Sequence, residues 1–211
     1  MFLALDGLDG TGKTTQLDQL ERWLKAGPLE VVRCQDPGST ALGMQIRQIL
    51  LHVSETPIGR RSEMFLYMAA RAQMVEFVIK PALAAGSLVL SDRFLLANVV
   101  YQGYAGGLEP ETIWEIGKEA CQGIQPDLTF ILDMSPEAAQ ARLQRTLDRM
   151  EQVDSAFRER LRFGYLKEAE AAPDRFHLID SNRDPEAIQN ELRTVLLERF
   201  PESCPATIAM P

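Results

Sequence analysis

The chain has 211 residues, 45% hydrophobic and 25% charged, with 14 Gly and 12 Pro, an ordinary globular composition that excludes a collagenous, disordered or disulfide-scaffold protein. At roughly 150 residues per domain the length predicts one domain, residues 1–200, followed by a proline-bearing tail over 201–211 that reads as extended or disordered. The net charge of −8 opposes a nucleic-acid backbone or an anionic membrane surface, and no stretch concentrates Lys and Arg enough to offset it.

Cys34, Cys121 and Cys204 are odd in number, far apart and without a His at ligand spacing, so neither a disulfide framework nor a zinc site is indicated. No apolar run approaches the roughly 18 residues that a spanning helix needs. A glycine-rich turn by Gly7 leaves no room for a secretory leader, and the expected location is the cytoplasm.

Short β-branched runs alternate with longer helical stretches, the pattern of a parallel sheet covered by helices on both faces. Strands are expected at Phe2 to Asp6, Glu30 to Cys34, Leu88 to Ser91, Leu128 to Asp133 and Phe176 to Ile179. Between them Lys13 to Ala26, Ala41 to His52, Glu63 to Lys80, Pro110 to Cys121, Pro136 to Thr146, Ala156 to Ala171 and Pro185 to Phe200 have helical spacing. Ser135-Pro136-Glu137 and Asp184-Pro185-Glu186 each set a capping side chain before a first-turn proline and an acid. From Glu63 to Lys80 apolar residues reach around most of the circumference, which requires cover on more than one side. Either the chain's own core supplies that cover, or one face meets a second copy across a two-fold interface.

After the first strand comes Gly7-Leu8-Asp9-Gly10-Thr11-Gly12-Lys13-Thr14-Thr15, which satisfies Gly-x-x-x-x-Gly-Lys-Ser/Thr at every fixed position. Between a strand and a helix, such a loop aims successive backbone N–H groups and a helix N-terminus at one anion. Lys13 then serves the β and γ oxygens of a bound triphosphate, and the Thr14 hydroxyl a Mg²⁺ ion, which leaves kinases, GTPase switches and ATPase motors open. Two strands end in an acid, at Asp92 and Asp133. Only Asp92 precedes an arginine, Arg93, and strand ends face the ligand crevice of an open α/β sheet. Asp133 reads more simply as a strand-terminating acid, because Ser135 opens a helix directly after it. No Asn-Lys-x-Asp guanine-reading motif occurs, which weighs against a GTPase.

From about residue 1 to residue 195 the chain resembles the thymidylate kinases, nucleoside monophosphate kinases of the P-loop class. The resemblance is carried by the P-loop, Gln35-Asp36-Pro37-Gly38-Ser39-Thr40, the stretch Phe65 to Gln73, Asp92-Arg93-Phe94 through Tyr101-Gln102-Gly103, Pro126-Asp127-Leu128-Thr129, and Asp148-Arg149-x-Glu151. It implies a five-stranded parallel core, ATP with Mg²⁺, phosphorylation of dTMP to dTDP, and a homodimer packed through the helix at 63–80. It also implies roles. Tyr67 stacks on thymine, Arg71 donates to a base carbonyl, Asn98 pairs with the base edge, and Tyr101 excludes a ribose 2′-hydroxyl. Arg93 holds the acceptor phosphate, Asp9 contacts the sugar 3′-hydroxyl or orients that arginine, and Pro37 and Gln102 complete the substrate set. Asp92 joins Thr14 at the metal. Alone, Tyr67 and Arg71 read better as a core aromatic beside a solvated or salt-bridged arginine; for the segment around Asn98 the alternative is a plain helix after a strand, with Asn98 exposed and Tyr101 in the core.

Arg142, Arg145 and Arg149 resemble the arginines of a closing lid, about residues 142–152, with Arg145 and Arg149 as its catalytic pair. The P-loop arginine of some family members stands here as Gly10, so guanidinium charge must come from elsewhere. The alternative is a solvated face paired with Asp148 and Glu151. The sequence departs from the common family pattern at Gln35, at Asp36, at Phe94, at Ala97 and in the loop Tyr104-Ala105-Gly106-Gly107. These departures leave two other readings open: another pyrimidine nucleotide or nucleoside as acceptor, and a P-loop switch that phosphorylates nothing.

Overall fold

Five strands, β1 (Phe2–Gly7), β2 (Val31–Gln35), β3 (Leu88–Asp92), β4 (Leu128–Asp133) and β5 (Phe176–Asp180), form one sheet in the order β2-β3-β1-β4-β5. Every neighbouring pair is parallel. The structure is a computed structural model and describes residues 1–53, 56–143, 148–150 and 152–207. The helices described are α1 (Lys13–Leu24), α2 (Ala41–Leu51), α3 (Arg60–Met74), α4 (Lys80–Ala84), α5 (Leu95–Asn98), α6 (Pro110–Ala120), α7 (Pro136–Ala141), α8 (Ser155–Ala171) and α9 (Pro185–Arg199).

Alternation along β1 divides the core in two, because successive strand side chains point to opposite faces. Leu3 and Leu5 pack with Leu17, Leu20 and Trp23 of α1 and with Leu192 and Leu196 of α9. Phe2 and Ala4 pack with Met64 and Met68 of α3 and Ile113 of α6. The sheet is therefore buried on both sides, as its near-continuous apolar strands require. The two proline-marked helix starts are as read: Ser135 accepts from Ala138 N, and Asp184 from Glu186 N.

The structure corrects four expectations. The apolar helix begins at Arg60 rather than Glu63 and runs through a π turn, Val75–Ile79, into α4. Met64, Met68, Met74, Val75 and Ile79 fill the core, while Phe65 and Phe77 stand 55% and 65% exposed. The helix expected from Pro136 to Thr146 ends at Ala141. Helix α5 with the π turn Val99–Tyr104, missing from the helices expected by spacing and offered only as the alternative for the segment around Asn98, follows β3 with Asn98 buried rather than exposed; its apolar residues are too consecutive to show a helical stripe. The tail is not extended over its described part. Pro201–Ser203 forms a 3-10 turn, Cys204 is 5% exposed within the α1/α9 core, and Trp23 Nε1 donates to Thr207 O at 2.7 Å.

The strand order positions the site. The crossover from β1 to β2 and the one from β3 to β4 leave the sheet's centre in opposite directions, which opens a crevice at the C-terminal ends of β1 and β3. Register pairs Leu5 with Asp92, and Arg93 N extends the ladder by donating to Leu5 O at 2.9 Å. The P-loop and the Asp92-Arg93 pair thus emerge side by side.

Candidate active site

The loop between β1 and α1 is shaped by three glycines in left-handed backbone, Gly7, Gly10 and Gly12, at φ 134°, 92° and 93°. A Cβ on Gly10 would lie 2.0 Å from Ala139 O, so only glycine fits where the loop passes α7. Lys13 folds back over the loop, its Nζ donating to Gly7 O at 3.1 Å and Leu8 O at 2.7 Å. Burial and the neighbouring Arg93 hold its pKa below the usual lysine value. Thr14 and Thr15 are exposed beside it.

Arg93 occupies a left-handed backbone at φ 64°, a strain that side chains tolerate where surrounding contacts enforce it. Those contacts are dense. Its Nη1 donates to Asp6 Oδ1 at 2.9 Å, Gly7 O at 3.0 Å and Tyr165 OH at 3.1 Å. Its Nη2 donates to Asp9 Oδ1 at 2.5 Å and Tyr101 OH at 3.4 Å, and the guanidinium lies 5.2 Å from the Tyr101 ring centroid. Asp6 is fully buried, and burial raises its pKa despite Arg93 and a 2.6 Å hydrogen bond from Tyr165 OH. At Asp9 burial acts in the same sense, but the charges of Arg93 and Lys13 outweigh it and hold the carboxyl well below the usual range.

The opposite wall is a buried polar chain. Arg71, 1% exposed, donates from Nε to Asp36 Oδ2 at 2.5 Å and from Nη1 to Asn98 Oδ1 at 2.9 Å. Asn98 Nδ2 donates to Gln102 Oε1 at 2.6 Å, and Gln102 Nε2 to Glu63 Oε1 at 2.9 Å. The π turn places Tyr101 and Gln102 on the inner side of this segment, both buried, a use of wide turns common at functional sites. Burial raises the Asp36 carboxyl despite Arg71.

One cavity of about 590 Å³ connects these walls. It is lined by every P-loop residue from Asp9 to Thr15 and by Pro37, Tyr67, Arg71, Asp92, Arg93, Asn98, Tyr101 and Gln102. Gly7 and Leu8 contribute backbone carbonyls to Lys13 from behind. Asp133 takes no place in the cavity, since Arg162 grips both its oxygens at 2.8 Å. Arg145 and Glu151 lie outside the described residues. Arg149 does not line the cavity. Its Nε donates to Leu50 O at 2.6 Å and its Nη2 to Glu63 Oε2 at 2.6 Å, whereas Arg142 and Arg47 do line it.

The sequence reading missed Asp6, Tyr165 and Glu63. Asp6 had a signal, a carboxylate closing an otherwise apolar strand. So did Glu63, which stands four residues before Tyr67 and eight before Arg71, on the same helical face. Tyr165 had none.

A glycine-rich anion cradle at the end of one parallel strand, beside an Asp-Arg pair on its neighbour, defines a P-loop phosphotransferase. A family model described as thymidylate kinase matches residues 5–192. Thymidylate kinases from an Exiguobacterium species and from Rhodopirellula baltica are 42% and 40% identical over 202 and 196 residues, covering 95% and 93% of this chain and 95% and 80% of theirs. A crystal structure of thymidylate kinase from Ehrlichia chaffeensis superposes with a TM-score of 0.75 at 28% identity, over 93% of this chain and 98% of that one. The chain belongs to the thymidylate kinase family.

Proposed function

We propose that the protein transfers the γ-phosphoryl group of ATP to dTMP, yielding ADP and dTDP, with Mg²⁺ as cofactor. The observation that carries this reading is the position of Arg93, whose guanidinium shares one cavity with Lys13 on one side and with Arg71 and Asn98 on the other.

Tyr67 packs against the base, Arg71 and Asn98 address its edge, and Tyr101 closes the space beside the sugar. Arg93 grips the acceptor phosphate while Lys13 and the backbone N–H groups from Gly10 to Thr14 hold the donor. The acceptor phosphate has a second pKa of about 6 and is ionised at neutral pH, so the chain need supply no general base; no histidine lines the cavity. Catalysis then rests on alignment and on cationic charge around the transferred group. Arg142 is the lid-side guanidinium placed to contribute.

The residues fit a magnesium ion of the kind bound mainly by phosphates. The described residues contain no cluster of three or more His, Cys, Asp or Glu side chains able to cage a metal, and Mg²⁺ in such sites takes few protein ligands. Thr14 and Asp92, both at the cavity, would be those ligands. When bound, the ion neutralises phosphate charge.

The enzyme acts as a homodimer in the cytoplasm, a second copy covering the exposed Phe65 and Phe77. Sedimentation at micromolar concentration checks this: Phe65→Glu should release monomers, and a wild type that is monomeric contradicts it. The activity is tested by ADP release across a panel of nucleoside monophosphates. The reading expects dTMP to give the highest kcat/KM, and a tenfold preference for another acceptor contradicts it.

A further inference from the structure

Glu63 has no contact with the cavity, yet its carboxylate is wholly buried and anchors the polar wall. Oε1 accepts from Gln102 at 2.9 Å and from Arg60 Nη1 at 3.4 Å, and Oε2 accepts from Arg149 at 2.6 Å. From Gln102 the chain runs through Asn98 to Arg71. A guanidinium only donates and a carboxylate only accepts, so the two ends dictate which way both amides between them face.

We propose that Glu63 is a specificity-determining positioning residue. By ending the chain on an acceptor, it reinforces from the far side the orientation that Arg71 sets, Asn98 with Oδ1 beside the guanidinium. That acceptor and donor pair matches the N3–H and C4=O of thymine or uracil and mismatches the N3 and C4–NH₂ of cytosine. The inference rests on the proposed contacts of Arg71 and Asn98 with the base.

To offer a donor to cytosine N3, Asn98 must turn, and Gln102 must turn with it. The Gln102 oxygen then faces the Glu63 carboxylate, two acceptors with no proton between them, in a buried setting where an unmade hydrogen bond is costly. A glutamine at position 63 removes this end of the barrier, because its own amide can turn in concert, and leaves Asn98 held only by its contact with Arg71.

The test compares kcat/KM for dTMP and dCMP in wild type, Glu63→Gln and Gln102→Met. Gln102→Met cuts the chain one link earlier and leaves Arg60 and Arg149 on Glu63, so it decides the matter if Glu63→Gln fails to fold. The dTMP to dCMP ratio should fall about tenfold in each, the discrimination that one reversed buried hydrogen bond supplies. An unchanged ratio, or equal losses on both substrates as a packing role would give, overturns the assignment. A wild type that shows no preference for dTMP over dCMP overturns the base contacts themselves, and the role of Glu63 with them.

Discussion

Arg93 reaches back over the P-loop to Asp9, Nη2 to Oδ1 at 2.5 Å, and the same oxygen lies 3.4 Å from Lys13 Nζ. One carboxylate therefore links the cation assigned to the donor phosphates with the cation assigned to the acceptor. With Asp6 and Tyr165 fixing the other guanidinium nitrogen, Arg93 is oriented before any substrate arrives, which is what electrostatic catalysis requires.

Replacing Arg93 removes the cation proposed to grip the acceptor phosphate and takes a donor from Asp6, Gly7 O and Asp9, while Lys13 and the loop's backbone N–H groups remain. Arg93→Ala should lower kcat about 10³-fold, the scale of arginine contributions to phosphoryl transfer, while calorimetry still shows ATP binding. Near-normal turnover contradicts the role assigned to Arg93. The variant should also melt lower, because Asp6 is left wholly buried without its cation.

Asp9 predicts a pH signature. Its pKa in the folded state lies below the ordinary aspartate value of 3.8, so between the two values the unfolded chain binds the extra proton and stability rises with pH. The contribution is complete above that value and fades as pH falls below it. Asp9→Asn should therefore melt below wild type at pH 7, and the gap should narrow as pH drops under 3.8. A gap constant with pH contradicts the ion pair as its cause.

Gly10 has both a left-handed backbone and no room for a side chain. Gly10→Ala should cost more than about 1 kcal/mol of stability and weaken ATP binding, since either the loop or the end of α7 must shift. Gly59→Ala is the control: φ there is −66° and nothing lies within 4 Å of the added carbon. Comparable losses in both variants contradict the steric account.

Much of this was legible in the sequence. The five strands and the P-loop declare themselves through consecutive residues, apolar runs and a glycine spacing whose backbone purpose is local. Tyr67, Arg71 and Asn98 were placed through resemblance, since taken alone they read as core and pairing residues. What stayed hidden was long-range. Arg149 meets Glu63 across 86 positions, and Tyr165 meets Asp6 across 159; no periodicity encodes either. The proline-bearing tail misled because composition says where a helix stops, not whether Cys204 finds a hydrophobic seat beside Leu24.

That seat makes a prediction. Truncation after Phe200 removes the Trp23 hydrogen bond and uncovers part of the α1/α9 core, a loss of about 2 kcal/mol. Tm should fall by about 4–8 °C for a chain of this size, while kcat is retained. An unchanged Tm contradicts the packing of residues 201–207.

The central claim, that one cavity aligns a donor and an acceptor phosphate between Lys13 and Arg93, is tested most directly by phosphorus NMR of the protein with ATP, Mg²⁺ and dTMP. The account predicts that the signals of ATP and dTMP fall together while ADP and dTDP appear one for one. ATP consumed to inorganic phosphate with dTMP untouched, or no turnover at all, contradicts it.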